Sequence, residues 1–536
     1  LDTLARAPKG KRNDQLNKAA FALGQLVASG ALQRDLAEER LYAEGTAIGL
    51  GEQEVRATVR SGLEAGLSCP RAAPGEGFHH TDLGNARRLV AQHGPNIRCC
   101  HQWRRWLIWD GTRWLVDETG EIERLARQTV ASVYWEAGEE ADSADRKKLA
   151  AWAIRSEAEA KLRAMVNLAR AEPGVPVTPY QLDADPWLLN CLNGTLHLRT
   201  GELFEHRREN LCTKIVPVAY DPEAACPRWD EFLLEIMGNN RPLVAYLQRV
   251  LGYTLTGSTQ ERVFFLLHGE GDNGKSTFVE TIRRILGDYA ITTEFSTFLV
   301  QKSERVRDDV ADLVGARFVS AVEADAGKQF AEALVKRLTG GEDQVKARQL
   351  YAKLFGFKPQ CKFFLAVNHK PAIRGTDNAI WNRVHLIPFR VVIPKKKQDK
   401  SLVAKLRSEW PGILAWMVHG CLTWQKEAGL HPPKEVLAAT QSYRAEMDTL
   451  GAFLDECCFV DAGATVTVGD LYAVFLTWGG GTYKWSRQNF GMRLKERGYT
   501  QVRRGKGGIR TWVGLGLLET TRNLQLAPEE EEEGDI

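Results

Sequence analysis

The feature that most constrains this chain is the octapeptide Gly269-Glu270-Gly271-Asp272-Asn273-Gly274-Lys275-Ser276, which fits the pattern GxxxxGKS/T. Such a loop works between a buried strand and the first turn of a helix, where main-chain N–H groups and the helix N-terminus converge on phosphate oxygens. Both flanks are present. Residues 263–267 form a continuous apolar run, and residues 277–286 carry an amphipathic helical pattern. Gly269, Gly271 and Gly274 let the backbone approach an anion, with Asp272 and Asn273 between them. Lys275 is expected to reach the β and γ phosphates of a nucleotide and Ser276 to hold Mg²⁺, with Thr277 completing the phosphate-binding set.

Three further apolar runs follow, at residues 318–322, 363–367 and 384–387. They are continuous rather than alternating, which predicts strands buried on both faces of a largely parallel sheet, an α/β core. A nucleotide hydrolase needs an acid at the end of a second strand to complete the metal site and polarise water. Glu323 directly ends the second run, with Asp325 in support. Asn368 follows the third run, where its amide would orient water against the γ phosphate. Arg383, between Trp381 and the fourth run, is placed to neutralise charge on the nucleotide of a neighbouring subunit.

Five segments together, GEGDNGKST, VSAVEAD, KRLTGGEDQVKAR, FFLAVNHKP and GTDNAIWNRVHLIPF, resemble superfamily 3 helicases, and more narrowly the C-terminal helicase region of phage and plasmid primase-helicases and their poxvirus NTPase relatives. The spacings agree: 48 residues from Lys275 to Glu323, 45 on to Asn368 and 15 on to Arg383. The flanks LLNCLNGTLHLRTGEL and YDPEAACPRWDEFL are similar too, so the resemblance covers roughly residues 76–518. It implies an AAA+-like core, a Walker A lysine at Lys275, a Walker B acid at Glu323, sensor 1 at Asn368 and an arginine finger at Arg383. Many members carry two adjacent acids where this chain has Glu323-Ala324-Asp325, so the division of labour between the two carboxylates stays open.

Between Glu323 and Asn368 the pattern predicts a helix over residues 330–338 capped by Gly340-Gly341, a strand over 344–350, a tip at 351–353 and a returning strand over 354–358. By resemblance this hairpin points into a ring's pore and contacts DNA through Lys353. Lys346 and Arg348 are weaker candidates for the same phosphate contacts.

The rest of the chain predicts flanking modules. Residues 1–75 are helical, resembling the connector after a primase domain, with a Pro/Gly-rich linker at 69–77. An α+β region spans 76–182, a collar region 183–258, the P-loop core 259–392 and a helical connector 393–450. Residues 451–523, with helices at 468–478 and 486–497 and a β pair at 500–504 and 509–513, predict a winged-helix domain. An acidic, disordered tail occupies 524–536. Trp103, Trp106, Trp109 and Trp114 around Asp110-Gly111 predict a hairpin, whose rings and intervening arginines serve either a core or base stacking, the core being favoured. Asn193-Gly194 signals a second hairpin. Asp183 and Asp185 are discounted as a metal site because Pro186-Trp187 follow and no further ligand cluster is near.

Ten cysteines without a CxxC pair predict reduced thiols, and a zinc cluster of His79, His80 and His101 with Cys99 and Cys100 is disfavoured. No run of about eighteen apolar residues predicts a membrane span. Leu1–Gly10 shows neither a secretory signal nor an initiator Met, so a fragment or processed chain is expected, cytoplasmic in a bacterium or a virus-infected cell. The formal charge is +3, but the tail holds six acids, leaving 71 basic residues against 62 acidic ones elsewhere, a balance that suits a polyanion. The expected activity is an ATP- and Mg²⁺-dependent, homo-hexameric DNA helicase moving on single-stranded DNA at forks during replication of a virus, phage, plasmid or integrated element. It would act with a separate primase or one fused upstream. The alternative is a nucleotide-switched origin-binding or loading ATPase without processive unwinding.

Overall fold

A computed structural model describes residues 4, 8, 11–28, 32–67, 78–300, 308–322, 329–340, 345–347, 355–373, 378–479, 485–504 and 508–519. The predicted linker at 69–77 and the acidic tail lie outside them. Three helices come first, α1 (Arg12–Ala28), α2 (Arg34–Ala47) and α3 (Glu52–Leu67). Leu16, Ala20, Leu41, Val55, Val59 and Leu63 recur at helical spacing and close a small core of their own.

The α+β segment contains α4 (Asp82–His93), β1 (Ile97–Cys100), β2 (Arg105–Trp109), β3 (Trp114–Val116), α5 (Glu121–Glu139), α6 (Ser143–Ser156), α7 (Glu159–Ala169) and β4 (Pro176–Val177), with strand order β3-β2-β1-β4. The aromatic hairpin is β2–β3, and its rings pack inward: Trp106 and Trp114 are buried, and Arg98 lies 4.6 Å over the Trp114 ring. Arg113 pairs with Asp288, below the P-loop helix, rather than standing free to stack on a base. His101 Nε2 meets the Arg170 carbonyl at 3.0 Å, Cys99 and Cys100 are buried, and no group of three metal-type ligands exists among the described residues.

A second small sheet, β5 (Leu188–Cys191), β6 (Gly194–His197) and β7 (Glu202–Phe204), precedes α8 (Pro227–Ile236) and α9 (Arg241–Leu255). The β5–β6 turn occupies Leu192-Asn193, one residue earlier than the Asn-Gly signal suggested, because Gly194 pairs with Cys191 as the first residue of β6. The Asp183 side chain is engaged by the Thr213 N–H at 2.8 Å and hydroxyl, and Asp185 accepts from the Trp187 N–H at 2.8 Å, so both acids hold turns.

The central unit runs β8 (Phe264–His268), α10 (Lys275–Leu286), β9 (Ala290–Thr292), α11 (Asp308–Ala311), β10 (Phe318–Val322), α12 (Glu332–Thr339), β11 (Val345–Ala347), β12 (Phe355–Phe357), β13 (Lys362–Val367), α13 (Asn378–Trp381) and β14 (Val384–Pro388). Five strands form a parallel sheet in the order β14-β8-β13-β10-β9. Phe265 and Leu267 of β8 face one core with Trp229, Phe278 and Trp424, whereas Phe264 and Leu266 face another with Phe330, Val335, Trp381 and Tyr443. Two-sided burial is why these strands read as unbroken apolar runs.

Of helices α14 (Leu402–Ser408), α15 (Trp410–Glu427) and α16 (Lys434–Met447), α16 packs on β14, α15 on α9, and α14 on α8 and α10. α9 and α15 cross at Gly252 and Gly420, where an added Cβ would stand about 2.0 Å from opposing backbone atoms. One continuous core therefore joins residues from Leu189 to Val436.

The last unit is α17 (Thr449–Cys457), β15 (Cys458–Thr467), α18 (Val468–Trp478), α19 (Arg487–Glu496), β16 (Thr500–Arg504) and β17 (Ile509–Leu517), with strand order β15-β17-β16 around a core of Phe453, Phe475, Phe490 and Trp512.

Candidate nucleotide-binding site

The loop after β8 is shaped from within by Asn273, which is 3% exposed. Its amide donates to the Glu270 carbonyl and, at 3.3 Å, to the Phe389 carbonyl beyond β14, while its Oδ1 accepts from the Lys275 N–H at 3.4 Å. The Gly269 N–H donates to the Val367 carbonyl at 3.3 Å, tying the loop to the neighbouring strand, and the Ile393 N–H donates to the Asp272 carbonyl at 2.8 Å. Gly274 precedes α10 at φ 82°, and an added Cβ would lie 2.5 Å from Ile236 Cγ2, so both conformation and packing require glycine there. Gly271, Asp272 and Ser276 are exposed, and Thr277 follows in the first helical turn.

Lys275 opens α10 and is itself only 7% exposed. Its ammonium donates to the Gly269 carbonyl, to the Glu270 carbonyl at 3.3 Å and to Asn368 Oδ1 at 3.2 Å. Burial lowers its pKa, because removal from water penalises the charged form. The pKa of His268, at the end of β8, is lowered by burial and by the Lys370 and Lys275 cations. Asn368 stands just past β13, so two residues predicted 93 positions apart meet at the carboxyl edge of adjacent parallel strands. That edge is where ligands of open parallel sheets bind. β10 ends at the same edge, Val322 pairing with Ala366. Glu323 and Asp325 lie outside the described residues.

Arg383 sits at the opposite edge. Its carbonyl accepts from the Phe264 N–H at 2.8 Å where β8 begins, and its guanidinium donates to Thr339 Oγ1 at 3.2 Å and to the Ala379 carbonyl at 2.6 Å. The five residues of β14 put roughly 16 Å between the two edges, so Arg383 does not reach the phosphate loop of its own chain.

The predicted hairpin is present as β11 and β12, with Val345, Lys346 and Ala347 opposite Phe357, Gly356 and Phe355. Arg348, Lys353 and the Lys346 side chain lie outside the description. The helix before it is α12, starting two residues later than expected; Gly340 follows it with right-handed helical φ and ψ, and Gly341, the other half of the predicted cap, lies outside the described residues. The braces from Phe389 and Ile393 escaped sequence reasoning, since nothing local marks residues about 120 positions away as neighbours of the loop.

Two family models and several known proteins are similar to parts of this chain. Residues 86–238 match the family described as “D5 N terminal like”, and residues 267–383 match one described as “Family of unknown function (DUF5906)”. A candidate helicase of Acanthamoeba polyphaga mimivirus is 27% identical over 321 residues, 55% of this chain and 33% of that protein. A candidate helicase of Frog virus 3 is 28% identical over 248 residues, 42% of this chain and 25% of its own length. Primase D5 of Fowlpox virus is 21% identical over 41% of this chain and 29% of its own length. The match thus spans about a quarter to a third of each of these relatives. Among solved structures, the apo NrS-1 C-terminal region aligns with TM-score 0.44 and 12% identity over 81% of this chain and all of that one. The chain is thus similar, over about half of its length, to viral proteins named as helicases and as primase D5, in line with the resemblance its motifs carry.

Proposed function

We propose that this chain is the engine of an ATP-dependent, ring-forming DNA helicase that moves on single-stranded DNA during replication of a virus, phage, plasmid or integrated element. The observation that carries the reading is the contact of Lys275 with Asn368 across adjacent strand ends, beside the N-terminus of α10. The relatives named as helicases and as a primase point to the same process. No described helix is long and apolar enough to cross a membrane.

The residues fit a nucleoside triphosphate with Mg²⁺. The first-turn N–H groups of Ser276 and Thr277 have no partner within the helix, and Lys275 is a partly desolvated cation whose charge a phosphate would stabilise. Bound Mg²⁺-ATP supplies the bond whose hydrolysis drives movement. Lys275 and the Gly269–Gly274 backbone would bind its phosphates, Ser276 with Glu323 or Asp325 would hold the metal, one of those acids would take a proton from water, and Asn368 would orient that water. Arg383 acts on the site of the adjacent subunit. The strand order, with β13 between the P-loop strand and β10, supports an AAA+-like core. The helix-strand-helix-helix-strand-strand order after Thr449 supports a winged-helix domain. Lys353, which falls between β11 and β12 in sequence, would contact DNA phosphates with help from Lys346 and Arg348, and a primase would act upstream.

Strand displacement on a forked duplex tests the reading. The parent chain is expected to release the strand only with ATP and Mg²⁺, and Lys275→Ala to lose both hydrolysis and displacement while keeping its melting temperature. ATP hydrolysis by the parent without displacement would replace the helicase by a nucleotide-switched loading ATPase.

A further inference from the structure

The β11–β12 hairpin is rooted at the sheet edge opposite the Lys275–Asn368 pair. β12 ends at Phe357, and after four residues the chain enters β13 at Lys362. All six residues of β13 are buried, and it runs roughly 20 Å to Asn368. One buried strand thus has the hairpin root at one end and the lysine-bound asparagine at the other.

Across that root runs segment 178–188, which follows the α+β segment. The Tyr180 hydroxyl donates to the Gly356 carbonyl of β12 at 3.1 Å. Gln360 Nε2 donates to the Asp183 carbonyl at 3.3 Å, and Arg317 Nη2 to the Leu188 carbonyl at 2.7 Å. The segment is anchored on its far side by Asp183, which Thr213 holds through its N–H and hydroxyl. Tyr180 does not fill a core, being 56% exposed. Its hydroxyl reaches a main-chain carbonyl at the middle pair of a three-pair ladder, where Gly356 faces Lys346. So short a ladder has little stiffness of its own and gains it from contacts at its base.

We propose that Tyr180 is a positioning residue that braces the hairpin root against the preceding segment, so that displacement of β13 is delivered to the hairpin tip and not lost in twisting at its base. The role rests on reading the hairpin as the DNA-contacting element.

Tyr180→Phe keeps the ring and removes one donor, and two measurements decide the matter. Hydrogen exchange at the amides of Val345–Ala347 and Phe355–Phe357 is expected to quicken on the order of three- to tenfold, the worth of one hydrogen bond, with β8 and β13 unchanged. Base pairs opened per ATP should fall by a similar factor, while DNA-independent ATP turnover and melting temperature stay at parent values. Gln360→Ala should move both readouts the same way. Exchange at the parent rate, a parent ratio of unwinding to hydrolysis, or a lowered melting temperature with ATP turnover lost in step would each overturn the brace. If the parent itself hydrolyses ATP without unwinding, the helicase reading fails, and exchange alone still decides whether Tyr180 stiffens the hairpin.

Discussion

Lys275 and His93 are both ionisable, both nearly buried, and differ in what surrounds them. Lys275 keeps three oxygen acceptors around its ammonium. His93, 4% exposed at the end of α4, has an Nε2 without a partner among the described residues, and burial pushes its pKa down to about 4. A cation at a helix C-terminus is ordinarily favourable, but that gain is smaller than the cost of desolvation here. The folded pKa lies below the unfolded value near 6.5, so the neutral imidazole's contribution is complete above about pH 6.5 and is lost as pH falls toward 4. The span corresponds to roughly 3 kcal/mol. His385, also near 4 and 2.5 Å from the Tyr246 hydroxyl, adds a like slope that is common to parent and variant. His93→Gln is therefore expected to flatten, not abolish, the fall of the urea midpoint between about pH 7 and 4.5; identical slopes in the two proteins would show that His93 is not the group responsible.

The terminal sheet sets Arg503 directly opposite Arg510 on β16 and β17, both exposed. Like charges facing each other across an antiparallel pair cost a few tenths of a kcal/mol. Arg503→Thr removes the repulsion and adds a residue suited to strands, so calorimetry at low salt should show this unit melting about one or two degrees higher, with the gain shrinking at high salt. An unchanged or lowered melting temperature at low salt would contradict it. The same sheet shows why sequence reasoning reached some elements and not others. β8, β10, β13 and β14 were legible because burial on both faces leaves an uninterrupted apolar run. β9 has only three residues, and β15 is mostly exposed with a register shift between Val460 and Thr465, so neither carries a period. Helices α4 to α6 hide their inward face behind polar groups. Asn85 bonds Ser156 and Trp152 at 2.9 and 3.0 Å, and Gln92 bonds Ser132 at 2.7 Å. In the site, Lys275 and Asn368 were legible because each follows a recognisable strand, whereas Tyr180 and Ile393 act through contacts that only the folded chain brings together.

For the whole molecule, the decisive fact is that Arg383 and Lys275 occupy opposite edges of one sheet. Arg383→Ala is expected to lower ATP turnover on the order of 10³-fold, the usual worth of an arginine finger. Mixed with Lys275→Ala chains, under conditions where subunit exchange is demonstrated, it should regain activity above the summed activities of the separate variants, because some junctions then hold both groups. No gain at any ratio would remove the case for action across subunits. The placement also bears on symmetry. If Arg383 acts on a neighbour's site, as proposed, a head-to-tail contact brings the strand end that carries Arg383 of one copy to the strand end that carries Lys275 of the next. In an assembly of that kind each copy faces the back of the next, and the contact angle alone separates a closed ring from an open filament.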